Sequence, residues 1–222
     1  MSLELIMSAW MLICALIGAI YGAVHFLTKR NALYLQMIAC GTGCQMFARL
    51  FSVVYMALCG KLHREFNIGM LGIVGSFLFI LSANYGQMDS LVDDGDPSLR
   101  PTRLKALAVP MVMLAVYVFF CFAESAVGLR LAVGLIAAFI VPTAYYNFKH
   151  IIIFDVEEGI IEGLRKYNIL ALAYGFLVLL EYVFGYLGYR WLYVAACIGV
   201  GAVTVAMMPA LKRGLEEWTE AT

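Results

Sequence analysis

Two charged residues stand where the surrounding sequence is apolar. Arg49 falls within the run 32–59 and Glu181 within the run 168–187. A charge inside a hydrocarbon layer is costly, so such residues turn towards a protein interior and pair there or serve a polar site. Thr42, Gln45, Arg49 and Ser52 recur at spacings of three and four, which places them on one stripe of a helix. At 1.5 Å per residue, Arg49 lies about 26 Å and Glu181 about 20 Å from the basic ends of their runs. Both depths fall in the far half of an apolar layer about 30 Å thick. A fixed cation and a fixed anion at similar depth suit a small zwitterionic or polar solute. The expected ligand-binding set is therefore Thr42, Gln45, Arg49, Ser52 and Glu181, with Tyr55 and Tyr182 flanking the opening. The competing reading is a structural ion pair that locks two helices together.

A second chemistry-bearing stretch is SANYGQMDSLVDDGDPSLRP, with Asn84, Gln87, Asp89, Asp93, Asp94 and Asp96. Clustered carboxylates beside a membrane can hold a divalent cation over a lipid phosphate, which makes Asp89, Asp93 and Asp94 the candidate metal ligands. Gly95 and Pro97 favour a turn there, and a solvated acidic loop is the preferred reading. No metal and no cofactor is expected. The three histidines, His25, His63 and His150, are spread over both ends of the runs, so they do not converge on one site. The six cysteines form no CxxC pair and read as small packing residues. No nucleophile elbow, HExxH, P-loop or dinucleotide fingerprint is present. The last run holds no lysine for a retinal Schiff base.

These residues must be positioned by helices in lipid. Of 222 residues, 64% are hydrophobic and 14% charged, against about 25% charged in soluble domains, and the mean hydropathy is +0.89. Net charge is zero, so no basic field invites nucleic acid. Seven apolar runs, at 5–27, 32–59, 68–87, 106–123, 131–148, 168–187 and 191–211, approach or exceed the roughly 20 residues a spanning helix needs. They do not alternate as barrel strands would. The expected fold is an all-α integral membrane protein, a seven-transmembrane-helix bundle forming a single domain over 1–222. No basic stretch precedes the first run, which is expected to be a retained helix.

Orientation follows from Lys and Arg. One side carries Lys29, Arg30, Arg100, Arg103, Lys105, Lys149, Arg165, Lys166, Lys212 and Arg213. The other carries Lys61, Arg64, Arg130 and Arg190. The N-terminus is thus expected outside and the C-terminus in the cytosol. KRN before run 2 and RKYN before run 6 hint at a duplication that would give a 3+1+3 bundle. Gly18 and Gly22, and Gly69, Gly72 and Gly75, mark close helix contacts. Pro110, Pro142 and Pro209 mark kinks. Trp10, Tyr186, Tyr189, Trp191 and Tyr193 collect near the outer interface. Between runs 5 and 6, Ile153, Val156, Ile160 and Leu164 recur at helical spacing opposite Asp155, Glu158 and Glu162, as in a short amphipathic helix.

Three functions fit this sequence. The first is binding or transport of a small polar solute. The second is a seven-helix signalling or scaffold protein that docks a cytosolic protein partner through its acidic elements. The third is a cation-dependent enzyme acting on lipid at the cytosolic face.

Overall fold

The structure is a computed structural model; it describes residues 3–28, 31–60, 65–93, 95–153 and 160–221, without the side chains of 87, 91, 92, 160–163 and 217–221. Asp94 lies outside the described residues, as do Lys29, Arg30, Lys61, His63 and Arg64. So does 154–159, where most of the expected amphipathic helix falls. Among the described residues, seven helices are long and apolar enough to cross a membrane.

The first, α1 (Leu3–Gly22), ends in a π-helical turn at Ala23–Leu27, and α2 spans Leu33–Cys59. α3 (Ile68–Ala83) runs on through a second π-turn at Asn84–Met88 into the short helix Asp89–Val92. α4 (Pro97–Ala123) is followed by α5 (Val127–Ile152), α6 (Ile160–Leu187) and α7 (Arg190–Ala221). Several helices extend beyond the apolar runs, α5 to Ile152 and α7 to Ala221, because polar residues continue the backbone ladder. α4 is interrupted at Leu107, where Pro110 supplies no N–H for the carbonyl of Ala106.

The helix ends have local causes. Asn67 caps α3, its Oδ1 accepting from the Met70 N–H at 3.1 Å. Gly60 (φ 69°) closes α2 and Gly188 (φ 77°) closes α6, both in the left-handed region that glycine enters without strain. At the end of α1, the Asn31 amide donates to the carbonyls of His25 (2.9 Å) and Phe26 (3.2 Å), which the π-turn leaves free.

Six helices form a closed ring in the order α1, α2, α3, α5, α6, α7, and α4 packs outside against α5 and α6. α2 and α6 thus face each other across the ring. Helices this apolar gain little from burial wherever lipid surrounds them, and close packing must then hold them together. On α3, a Cβ at Gly72 would stand 2.9 Å from Cβ of Ala48 in α2. On α7, a Cβ at Gly201 would overlap the Trp10 indole of α1. The α2–α3 and α1–α7 contacts therefore exist at these depths because a side chain is missing. Below, the N-terminal face is the end bearing the start of α1, and the C-terminal face is the opposite end.

Candidate functional site: a buried ion pair across the ring

Arg49 of α2 and Glu181 of α6 meet inside the ring. Nη1 lies 2.5 Å from Oε1 and Nη2 lies 2.6 Å from Oε2, a two-pronged pairing of planar groups. The residues are 2% and 6% exposed. The outward faces of the two helices carry apolar side chains, among them Phe47, Leu50 and Val54 on α2 and Ile169 on α6. The pair is not fully satisfied: Nε of Arg49 is buried and has no acceptor among the described residues.

A cavity of about 50 Å³ adjoins the pair, on the side nearer the N-terminal face. Arg49, Ser52, Tyr55, Glu181 and Tyr182 line it, joined by Ser8, Asn67, Tyr186 and Tyr193. A water occupies on the order of 10–15 Å³ on this measure, so the space takes a few waters or one very small solute. Ser8 closes one wall by donating to Sδ of Met56 at 3.5 Å.

The stripe on α2 divides into two parts. Arg49 and Ser52 reach the cavity, and the Ser52 hydroxyl also returns to the Ala48 carbonyl at 3.1 Å. Gln45 turns towards α7 and donates to Oγ1 of Thr204 at 2.8 Å, and Thr42 donates to the Ala39 carbonyl of its own helix. Neither Thr42 nor Gln45 lines the cavity. Tyr186 and Tyr193 are buried against it, whereas Tyr189 and Trp191 face outward. Ser8 and Asn67 gave no signal in the sequence, since a lone serine in an apolar run and a loop asparagine are both common.

A second polar cluster closes the C-terminal face. Arg103 of α4 grips Asp93 through Nε–Oδ2 at 2.7 Å and Nη2–Oδ1 at 2.5 Å. The Lys149 ammonium of α5 reaches Oδ2 of Asp93 at 3.0 Å and also pairs with Asp89. Nε2 of His150 lies 3.2 Å from Oδ1 of Asp89. One turn deeper, the Asn84 amide at the start of the π-turn donates to Oδ1 of Asn147 at 2.9 Å. Burial opposes ionisation of Asp89, but hydrogen bonds from His150 and Lys149 outweigh it and hold the carboxyl below its usual range. The hydrogen bond from Arg103 holds Asp93 well below that range, with help from Lys149 and the Gly95 N–H. The metal candidates Asp89 and Asp93 are thus engaged by an ammonium and a guanidinium, and the described residues hold no group of three or more acidic, histidine or cysteine ligands. The sequence did not pair these acids with Arg103 or Lys149, and the solvated loop expected there is instead a network of ion pairs.

All six cysteines are free, including Cys59 and Cys121. No family model matches the chain, and no curated protein or solved structure is significantly similar to it.

Proposed function

We propose that this chain is a multi-pass membrane protein that binds and carries a small zwitterionic solute, with its N-terminus outside and its C-terminus in the cytosol. The observation that carries this reading is the Arg49–Glu181 pair. It joins facing helices across the ring, borders a small cavity whose walls mix polar groups with Met and Phe side chains, and leaves one guanidinium N–H without an acceptor among the described residues. A carboxylate can take the free N–H, and an ammonium can approach Glu181. The inner cavity is too small for a drug-sized molecule, whose sites run to roughly 300 Å³ or more. The solute is therefore glycine-sized, or the pair must part to admit it.

The ring order supports a 3+1+3 plan. Contacts among α1–α3 repeat among α5–α7, and α3 against α5 corresponds to α7 against α1, leaving α4 as the linker. In this reading the C-terminal cluster is a closed gate on the far side of the solute site. The pairing of Asp89 and Asp93 with Lys149 and Arg103 leaves little free charge there for a lipid phosphate–metal complex, which weighs against the enzyme reading. The excess of Lys and Arg towards the C-terminal face supports the orientation.

The test is binding by the purified protein in detergent, read as a rise in Tm with glycine, acetate or methylammonium. A ligand at a hundred times its Kd stabilises by about 2.7 kcal/mol, which a melt resolves. Glycine should raise Tm more than either singly charged analogue. The rise should vanish in Glu181→Gln and Arg49→Gln, and radiolabelled glycine should exchange across proteoliposomes. Equal or absent responses to all three compounds would overturn the proposal.

A further inference from the structure

A larger cavity, of about 390 Å³, opens at the N-terminal face between the first turn of α1 and the α6–α7 turn. Glu4 and Arg190 stand on its rim, both exposed, and Gly185, Gly188 and Tyr193 form its floor and wall. Gly185 and Tyr193 also line the cavity beside Arg49 and Glu181. The two spaces are therefore neighbours divided by those two residues. Gly185 has no side chain to fill the divide, so Tyr193 is the group that can.

We infer that the outer cavity is an entry site for the same small zwitterion, held between Glu4 and Arg190, and that Tyr193 closes the passage from it to the ion pair. This inference rests on the solute reading of the Arg49–Glu181 site. Volume supports it: the outer space falls within the range of small-molecule sites, and the inner one does not. Charge supports it too. Glu4 and Arg190 present one anion and one cation, the same two signs that Glu181 and Arg49 present further in. A zwitterion can pass from one pair to the other without meeting an unmatched charge. Position supports the role of Tyr193, which sits in the first turn of α7, its N–H donating to the Tyr189 carbonyl at 2.9 Å. Tyr193 is 6% exposed, and a change of χ1 would move its ring out of the divide without breaking a helix. Gly188 holds the chain in a left-handed turn, and a Cβ there would meet nothing within 4 Å, so the corner beside the entry stays unobstructed.

The passage is tested without any solute. In a cysteine-free background, Ser8→Cys places a thiol in the inner cavity and reports modification by a small membrane-impermeant methanethiosulfonate. Tyr193→Ala should speed that modification at least tenfold, and adding Gly185→Trp should abolish the gain. Met56→Cys reports on the same wall should Ser8→Cys fail to fold. Unchanged rates after Tyr193→Ala would overturn the passage even if glycine binds at Arg49 and Glu181. The entry site is tested with Leu3→Cys on its rim. Glycine should slow modification there at lower concentration than acetate or methylammonium, and Glu4→Gln should remove that advantage. Equal protection by the three compounds, or none, would overturn the entry site. Gated labelling of Ser8→Cys with no glycine response anywhere would instead sink the solute reading and leave the passage standing.

Discussion

Gln45 and Thr204 are hydrogen-bonded at 2.8 Å between α2 and α7, one turn from Arg49 on the side away from the cavity. The Thr204 hydroxyl passes its own proton to the Val200 carbonyl at 2.7 Å, so it both accepts and donates. This link fixes the face that α2 turns inward, and with it the direction of the Arg49 side chain.

Breaking that link should cost stability without adding charge. Thr204→Val keeps the shape but removes the acceptor, leaving a buried amide. Hydrogen bonds between membrane helices couple by about 0.6 kcal/mol on average and about 1.7 at most. A double-mutant cycle with Gln45→Leu, followed by unfolding in mixed detergent, should give a coupling in that range. A coupling of zero would mean that the two side chains do not hold α2 against α7.

The close helix approach at Gly72 carries its own control. Gly72→Ala would press a methyl group to 2.9 Å from Ala48 and 3.0 Å from the Cys44 carbonyl, both on a rigid helix. Overpacking of this kind costs about 1–3 kcal/mol. A Cβ at Gly43 on α2 would meet nothing within 4 Å, so Gly43→Ala should cost nothing. Equal melting temperatures for the two variants would refute a packed α2–α3 contact at this depth.

The seven helices were legible because length and hydropathy alone decide which segments can satisfy their backbone in lipid. Arg49 and Glu181 were legible for a related reason, since a charge in an apolar run has few tolerable places to go. The split of the α2 stripe was not. Thr42 and Gln45 share a face with Arg49 at three- and four-residue spacing, but a helical stripe is wider than the cavity it borders, and Thr204 draws Gln45 aside. The C-terminal cluster was hidden for the opposite reason. Asp89, Asp93, Arg103, Lys149 and His150 look solvated one at a time, and only the packing of α3, α4 and α5 brings them together. Tyr193 read as an interfacial ring because depth along a helix is visible in sequence and rotation about its axis is less so.

The same C-terminal cluster predicts how acid acts. A carboxyl whose folded-state pKa lies below its unfolded value of about 3.9 stabilises the fold at every pH above that value. It loses this contribution as pH falls towards the folded value. Asp89 and Asp93 are both depressed, so their contribution should be constant from pH 5 to 8 and decay below about pH 4. Arg103→Gln removes the largest influence on Asp93 and brings its folded-state pKa towards the unfolded value, so the variant should be less stable at neutral pH but lose less stability on acidification. Melting curves taken from pH 3 to 8 decide this. An acid-induced loss of equal size in the variant and the parent would show that the Arg103–Asp93 contact does not hold the cluster.

The ion pair itself gives the sharpest expectation. Removing one partner of a buried pair typically costs about 3–5 kcal/mol, because the other is left charged and alone, whereas replacing both with apolar groups of similar size is often close to neutral. Arg49→Met and Glu181→Leu should each lower stability by an amount in that range, and the double variant should recover most of the loss. Recovery of stability separates structure from function, because the double variant keeps its packing but presents neither charge to a solute. It should fold, elute as the parent does and give no glycine-dependent rise in Tm. Strictly additive losses in the singles and the double would show that the two charges are not coupled. A recovered double variant that still responds to glycine would place the binding site away from the pair.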